Sequence, residues 1–273
     1  AATSPDRSVR LAAVLALRRL KRPEITSFLN DKDPQVVLET VRAIYDENIE
    51  AALPQLAELS RQPNLAEPVL RRALNALLRL GKTENAAFLV AFAENAEAPE
   101  ALRVEALEAL SVWGNPPNRD RVIGLWRPLS DRDSRSAIVP LRLALSNLFS
   151  DPSEAIQEAT IKAMNRLGID TERERLHGLV ANSEIGTSVR LAAFEALAQS
   201  GGEDLLTAVR TARSSSVDSL REKASLSQAG LPVDEAIQLF QMDLKEDSIG
   251  LRRAALRGLA VVEDPRAGRI LES

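Results

Sequence analysis

A short phrase recurs along this chain and constrains its fold more than any other feature. It reads roughly Val/Leu-Arg-x-x-Ala-x-x-Ala-Leu. It stands as Val9-Arg10 leading to Ala13, Ala16 and Leu17, and as Leu70-Arg71 leading to Leu74 and Leu77. It returns as Leu102-Arg103 with Ala106-Leu107, as Val189-Arg190 with Ala193, Ala196 and Leu197, and as Leu251-Arg252 with Ala255-Leu256. Self-similarity at a spacing of about 30 residues marks a stack of supersecondary units, none of which can bury its apolar face alone.

Each phrase sits on a helix by periodicity. Val9, Ala12, Ala13, Ala16, Leu17 and Leu20 fall at i, i+3, i+4, i+7, i+8 and i+11, one face of a helix, with Arg10, Arg18 and Arg19 outside that stripe. Gly81, Gly114, Gly168, Gly201 and Gly230 each follow the last periodic residue of such a helix, where a glycine can end it. Asp33-Pro34, Glu67-Pro68, Ala98-Pro99 and Asp151-Pro152 stand near helix starts, where the missing proline N–H has no intrahelical partner to lose. Aromatic residues are only 3% of the chain, so its cores are built from Ala, Leu, Val and Ile, which suits closely packed helices better than a β-sandwich or barrel.

Aligning these helices, termed B, on the position of Arg10 gives Val37, Arg71, Arg103, Gln157, Arg190, Arg221 and Arg252, in steps of 27, 34, 32, 54, 33, 31 and 31 residues. Intervening A helices are expected at about 24–30, 49–60, 83–96, 171–181, 203–213 and 234–245. The 54-residue step breaks the rhythm. It holds a segment 118–130, a polar stretch 131–136 and a helix 137–149, and reads most simply as an extra helix inserted before the fifth B helix. Insertions in repeat arrays often lie on a functional face.

Helix pairs of this length, with an arginine after the first aliphatic residue of helix B, resemble HEAT repeats over nearly the whole chain. The resemblance implies an all-α, right-handed α-α superhelix of about eight helix pairs with one irregular insertion near 115–150, as a single solenoid over 1–273. It also implies that Arg10, Arg71, Arg103, Arg190, Arg221 and Arg252 form a structural ladder, each bonding to an acid or carbonyl of a neighbouring repeat; the alternative is a row of exposed cations.

A narrower resemblance rests on Ser8-Val-Arg-Leu-Ala-Ala-Val-Leu-Ala-Leu-Arg-Arg-Leu20, Phe28-Leu-Asn-Asp-Lys-Asp-Pro34, Leu70-Arg-Arg-Ala-Leu-Asn-Ala76, Ala98-Pro-Glu-Ala-Leu-Arg-Val-Glu-Ala-Leu107 and Arg119-Asp-Arg-Val-Ile-Gly-Leu-Trp-Arg-Pro128. Together these resemble the HEAT segment of large exported bacterial proteins, in which a sugar-dehydrogenase-like β-propeller precedes it and a c-type cytochrome domain with Cys-x-x-Cys-His follows. The resemblance implies an exported or periplasmic location and a parent architecture, and carries no catalytic or haem-binding residue into this chain. The opening Ala-Ala-Thr-Ser-Pro and the stop at Ile270-Leu271-Glu-Ser, just after Asp264-Pro265 opens another helix, lead us to expect an excised segment of a longer polypeptide.

Candidate chemistry is sparse. With no cysteine and one histidine, Ser-His-Asp and Cys-His mechanisms have almost no material. His177 lies in Glu172-Arg-Glu-Arg-Leu-His-Gly178 on an expected A helix, and reads as a surface or packing residue. The 39 acidic residues offer many carboxylate pairs, but no spacing singles one out. No Gly-rich phosphate loop occurs. Asp31-x-Asp33 and Asp131-x-Asp133 lack the rest of a calcium loop and read as helix caps. A pI near 5.4 argues against a nucleic-acid groove, and the longest apolar run, 86–93, is too short to span a membrane. Trp113 and Trp126 flank the irregular segment, where Arg119, Arg121 and Arg127 also lie. Core filling is one reading, and a contact surface for a partner is the other.

The expectation from sequence is a non-catalytic interaction or inter-domain scaffold module, not itself an enzyme, with no cofactor, catalytic residue or metal in this segment. Its partners would be proteins or adjoining domains of the same chain, without nucleic acid or membrane insertion. The alternatives are a HEAT-like enzyme of the DNA glycosylase or bilin-lyase type, or a free-standing cytoplasmic scaffold. An enzyme should show a concave pocket with a carboxylate beside exposed aromatics; a spacer should show a shallow groove and no strongly perturbed pKa.

Overall fold

The structure is a computed structural model and describes residues 2–272. The chain divides into two compact units, 1–151 and 152–273. In the first lie α1 (Arg7–Arg19), α2 (Pro34–Asp46), α3 (Leu53–Glu58), α4 (Glu67–Leu80), α5 (Thr83–Glu94), α6 (Glu100–Ser111) and α7 (Arg135–Phe149). The second holds α8 (Glu154–Arg166), α9 (Arg173–Ala181), α10 (Thr187–Ser200), α11 (Gly202–Arg213), α12 (Asp218–Ser227), α13 (Val233–Asp243), α14 (Ile249–Leu259) and α15 (Pro265–Glu272). The fold is all-α and made of HEAT-like helix pairs.

In the first unit the B helices α1, α2, α4 and α6 pack each on the next, and α3 and α5 lie against the B helices on either side of them. Val36, Val41, Ile44, Leu74, Leu77, Leu102 and Leu107 fill the shared core. The first A element is shorter than expected. Pro23–Phe28 is a 3-10 turn, whose three residues per turn bring Ile25 and Phe28 to one side, and both are buried. The second is broken into α3 and two 3-10 turns, Glu50–Ala52 and Leu59–Arg61, with Pro54 in its first turn. Helix ends follow the punctuation in part. Gly81 caps α4 at φ +64°, and Gly168 and Gly201 are also left-handed, whereas Gly114 and Gly230 are not. Asp33 caps α2 by accepting from the Gln35 N–H, and Asp133 accepts from Arg135 N–H in the first turn of α7.

The long step has a different cause from the one expected. Only one helix, α7, lies between α6 and α8, and it packs against α5, the A helix before it. Helix α7 is therefore the regular A member of its repeat, not an extra helix. The surplus residues are the non-helical segment from 112 to 134, termed the strap.

The second unit repeats the pattern. The B helices α8, α10, α12 and α14 pack in succession, α9 packs on α11, and α13 lies against α14. The α13–α14 contact is close enough that a Cβ on Gly258 would stand 2.3 Å from the Phe240 ring. His177 is on α9, with Nε2 3.2 Å from the Asp204 carboxylate. No helix among the described residues is long and apolar enough to cross a membrane.

Candidate functional site

The strap runs over the first unit's B helices and is held there by charged side chains. Its central part is a small hairpin. Arg119 and Trp126 form an antiparallel bridge, Asp120 N–H donates to the Leu125 carbonyl at 2.8 Å, and Arg127 N–H donates to Asn118 at 2.8 Å. The turn is set by Asp120, whose Oδ1 accepts the Val122 and Ile123 N–H groups at 2.9 and 3.1 Å, a local bond that short acidic side chains make readily.

The other oxygen of Asp120 ties the hairpin to the helices. Oδ2 accepts the Tyr45 hydroxyl at 2.9 Å and Arg79 Nη1 at 3.2 Å, and the Asp120 side chain is 1% exposed. Burial, reinforced by the Asp120 charge, pushes the Tyr45 phenol far above its ordinary range. Arg127 donates from Nη1 to the Tyr45 carbonyl at 2.7 Å and from Nη2 to the Asp46 carbonyl. These are last-turn carbonyls of α2, which have no intrahelical donor and attract a cation. Arg121 joins Glu105 at 2.9 Å and Glu108 at 2.5 Å, and Glu105 also receives Arg71 and Asn75 from α4. Burial would depress the Arg121 pKa, but the Glu105 charge and the bonds to both glutamates outweigh it and raise it.

The structure thus separates the residues that the sequence grouped. Trp113 is fully buried, its Nε1–H donating to Ser136 Oγ at 2.8 Å and its ring lying 4.8 Å beneath the Arg132 guanidinium. Arg121 and Arg127 are turned inward. Trp126 stays 65% exposed, next to an exposed Leu125, and Arg119 reaches only the Gly124 carbonyl of its own turn. Tyr45, Arg79, Glu105, Asp120 and Arg132 belong to this site and were not singled out from sequence. Tyr45 is the only tyrosine in the chain, the one signal that could have drawn attention to it.

The repeated arginines have these partners. Arg10 makes a bidentate bond to Asp31, at the entry to α2, and is buried. Arg71 bonds Glu105 on α6 and Glu67 on its own helix. Arg103 bonds the Ala93 carbonyl at 2.7 Å and Asp151. Arg190 bonds the Val180 carbonyl and Ser215, and Arg221 bonds Glu246. Arg252 bonds the Glu246 and Asp247 carbonyls just before its own helix.

No described family matches this chain, and no curated protein matches it either. Among solved structures, an engineered protein matches with a TM-score of 0.52 at 17% identity, over 99% of this chain and 74% of its own. That likeness shows the fold alone. Human deoxyhypusine hydroxylase in complex with glycerol matches with a TM-score of 0.34 at 15% identity, over 97% of this chain and 90% of its own. This second comparison corrects two expectations. An enzyme spans the same length of helical array, so the reading of a non-catalytic interaction or inter-domain scaffold module, and of a segment that is not an enzyme, is not kept. Nothing of that protein's chemistry is carried over to this chain.

Proposed function

We propose that the chain is a helical-repeat enzyme that holds a planar, acid-bearing substrate against the strap hairpin. The observation that carries the reading is an exposed indole, Trp126, on a hairpin whose turn is fixed by a buried carboxylate, Asp120, among Tyr45 and Arg79. This is the combination expected of the enzyme alternative, a carboxylate and strongly perturbed groups beside an exposed aromatic. Asp120 already accepts four hydrogen bonds, so it acts here as a positioning residue, and the recess around it is almost filled, about 10 Å³. The substrate surface is then Trp126 with Arg119. A flat ring stacks on the indole, and a carboxylate or phosphate on that ring meets the guanidinium. Both enzyme types weighed from sequence act on ligands of this kind.

The test uses biliverdin and a short DNA duplex as probes, with the intact chain and Trp126→Ala. Binding of one probe, seen as quenching that the variant loses while Trp113 emission persists, supports the reading. It is refuted if neither probe binds, or if the variant binds as the parent does. The finer resemblance, to the HEAT segment of an exported propeller and cytochrome protein, is likewise a proposal. It is supported by the segments 8–20, 28–34, 70–76, 98–107 and 119–128, and an in-frame Cys-x-x-Cys-His downstream of this segment would support it where a stop codon would sink it.

A further inference from the structure

Arg132 is the one guanidinium of the strap with neither an acid partner nor a full set of carbonyls. Nη1 donates to the Leu78 carbonyl at 2.8 Å, and the plane stacks on Trp113. Nε and Nη2 are buried and have no partner among the described residues, and burial lowers the Arg132 pKa with nothing to offset it. These two nitrogens form one edge of the guanidinium, the edge whose parallel N–H groups match the two oxygens of a carboxylate. The side chain is fixed in place. Its Nη1 lies 1.8 Å from where a Cβ on Gly81 would stand, so only glycine can both cap α4 and admit it.

Arg132 lines a cleft of about 710 Å³ between the start of α5 and the outer face of α7, within the roughly 300–1,000 Å³ usual for small-molecule sites. The opposite wall is apolar: Val139, 59% exposed, Leu143, 81% exposed, and Pro140 between them. The one acid at the rim, Asp133, is already neutralised by Arg135 through Nε at 2.7 Å. A cationic edge lacking its anion thus faces a bare aliphatic strip.

We propose that Arg132 and the α7 wall bind an aliphatic carboxylic acid, its carboxylate paired with the Nε–Nη2 edge and its hydrocarbon body laid along Val139, Pro140 and Leu143. Charge complementarity selects a monoanion over a bare phosphate, because Asp133 stands at the rim and the wall offers phosphate nothing.

Octanoate and inorganic phosphate are the probes, titrated by calorimetry and by tryptophan emission in a Trp126→Phe background. There Trp113, stacked on Arg132, is the only tryptophan and the hairpin surface proposed above is disabled, so the two proposals fail separately. Octanoate should bind saturably and phosphate should not displace it. Arg132→Met should weaken octanoate by about 30-fold, the loss of a charge-assisted bidentate bond. Leu143→Asp, at a position too exposed to affect folding, should weaken it by about 10-fold. If Arg132→Met does not fold, Arg132→Lys, which keeps the charge but not the paired edge, should weaken octanoate by about 10-fold. The proposal is overturned if octanoate gives no response at tens of millimolar, if phosphate binds as well as octanoate, or if Leu143→Asp or the Arg132 variant binds like the parent.

Discussion

Replacing Asp120 with alanine should detach the strap, and the structure sets the size of the effect. The substitution leaves the Tyr45 hydroxyl without its acceptor, Arg79 without its counter-charge, and two turn N–H groups unbonded. Arg79 is only 11% exposed in its side chain and already has Nε unpartnered. Removing one member of a buried ion pair is worth about 3–5 kcal/mol, mostly because the other charge is stranded. With a urea m-value of about 2 kcal/mol/M, the midpoint should fall by about 1.5–2.5 M. Tryptophan emission is the right assay, because Trp113 and Trp126 both lie in the first unit and flank the hairpin. Tyr45→Phe alone removes one of four bonds to the carboxylate and should cost about 1 kcal/mol. In the double variant the losses should fall short of additivity, because the tyrosine has nothing left to lose once Asp120 is gone. A loss below about 1 kcal/mol for Asp120→Ala would refute the claim that this carboxylate is the anchor of the strap.

Three further outcomes follow from other parts of the fold. Trp113→Ala should destabilise by about 3–5 kcal/mol through the cavity it leaves, while Trp126→Ala should stay within about 0.5 kcal/mol in the same urea titration. Gly81→Ala should lower the thermal midpoint well beyond Gly124→Ala: both positions have positive φ, but only Gly81 also displaces Arg132, the Gly124 site being open. The Arg22 side chain, and then the backbone N–H of Glu24 itself, hold the Glu24 carboxyl at about 2 against an ordinary 4.5. A lowered folded pKa means that its contribution is present above about 4.5 and is lost as pH falls through about 2. Carbon NMR should therefore find Glu24 mostly ionised at pH 3, and Arg22→Gln should return it to the ordinary range; unchanged titration in that variant would exclude the pairing.

The strap marks the boundary of what pattern reading reaches. A break in period located it, and the sequence spacing around Trp113, Arg119, Arg121, Trp126 and Arg127 grouped its residues. The same pattern led to an extra helix, because amphipathic periodicity identifies a helix over 137–149 but not the neighbour it packs on. Helix α7 is known as a regular member only from its contact with α5. The 3-10 turn at Pro23–Phe28 was read as a short helix for a similar reason, since Ile25 and Phe28 suit either geometry at a spacing of three.

Sequence by itself determined the alternation of helices, their approximate ends and the all-α class, because these depend on interactions among residues three or four apart and on local punctuation by proline and glycine. Only the tertiary structure decided which face each strap residue shows. Tyr45 and Asp120 are 75 residues apart, and Arg127 meets carbonyls 82 and 81 residues before it. Two tryptophans thirteen positions apart therefore end in opposite surroundings, one beneath a guanidinium in the core and one in solvent. Contacts across such distances are set by how helices stack, and no local pattern encodes them.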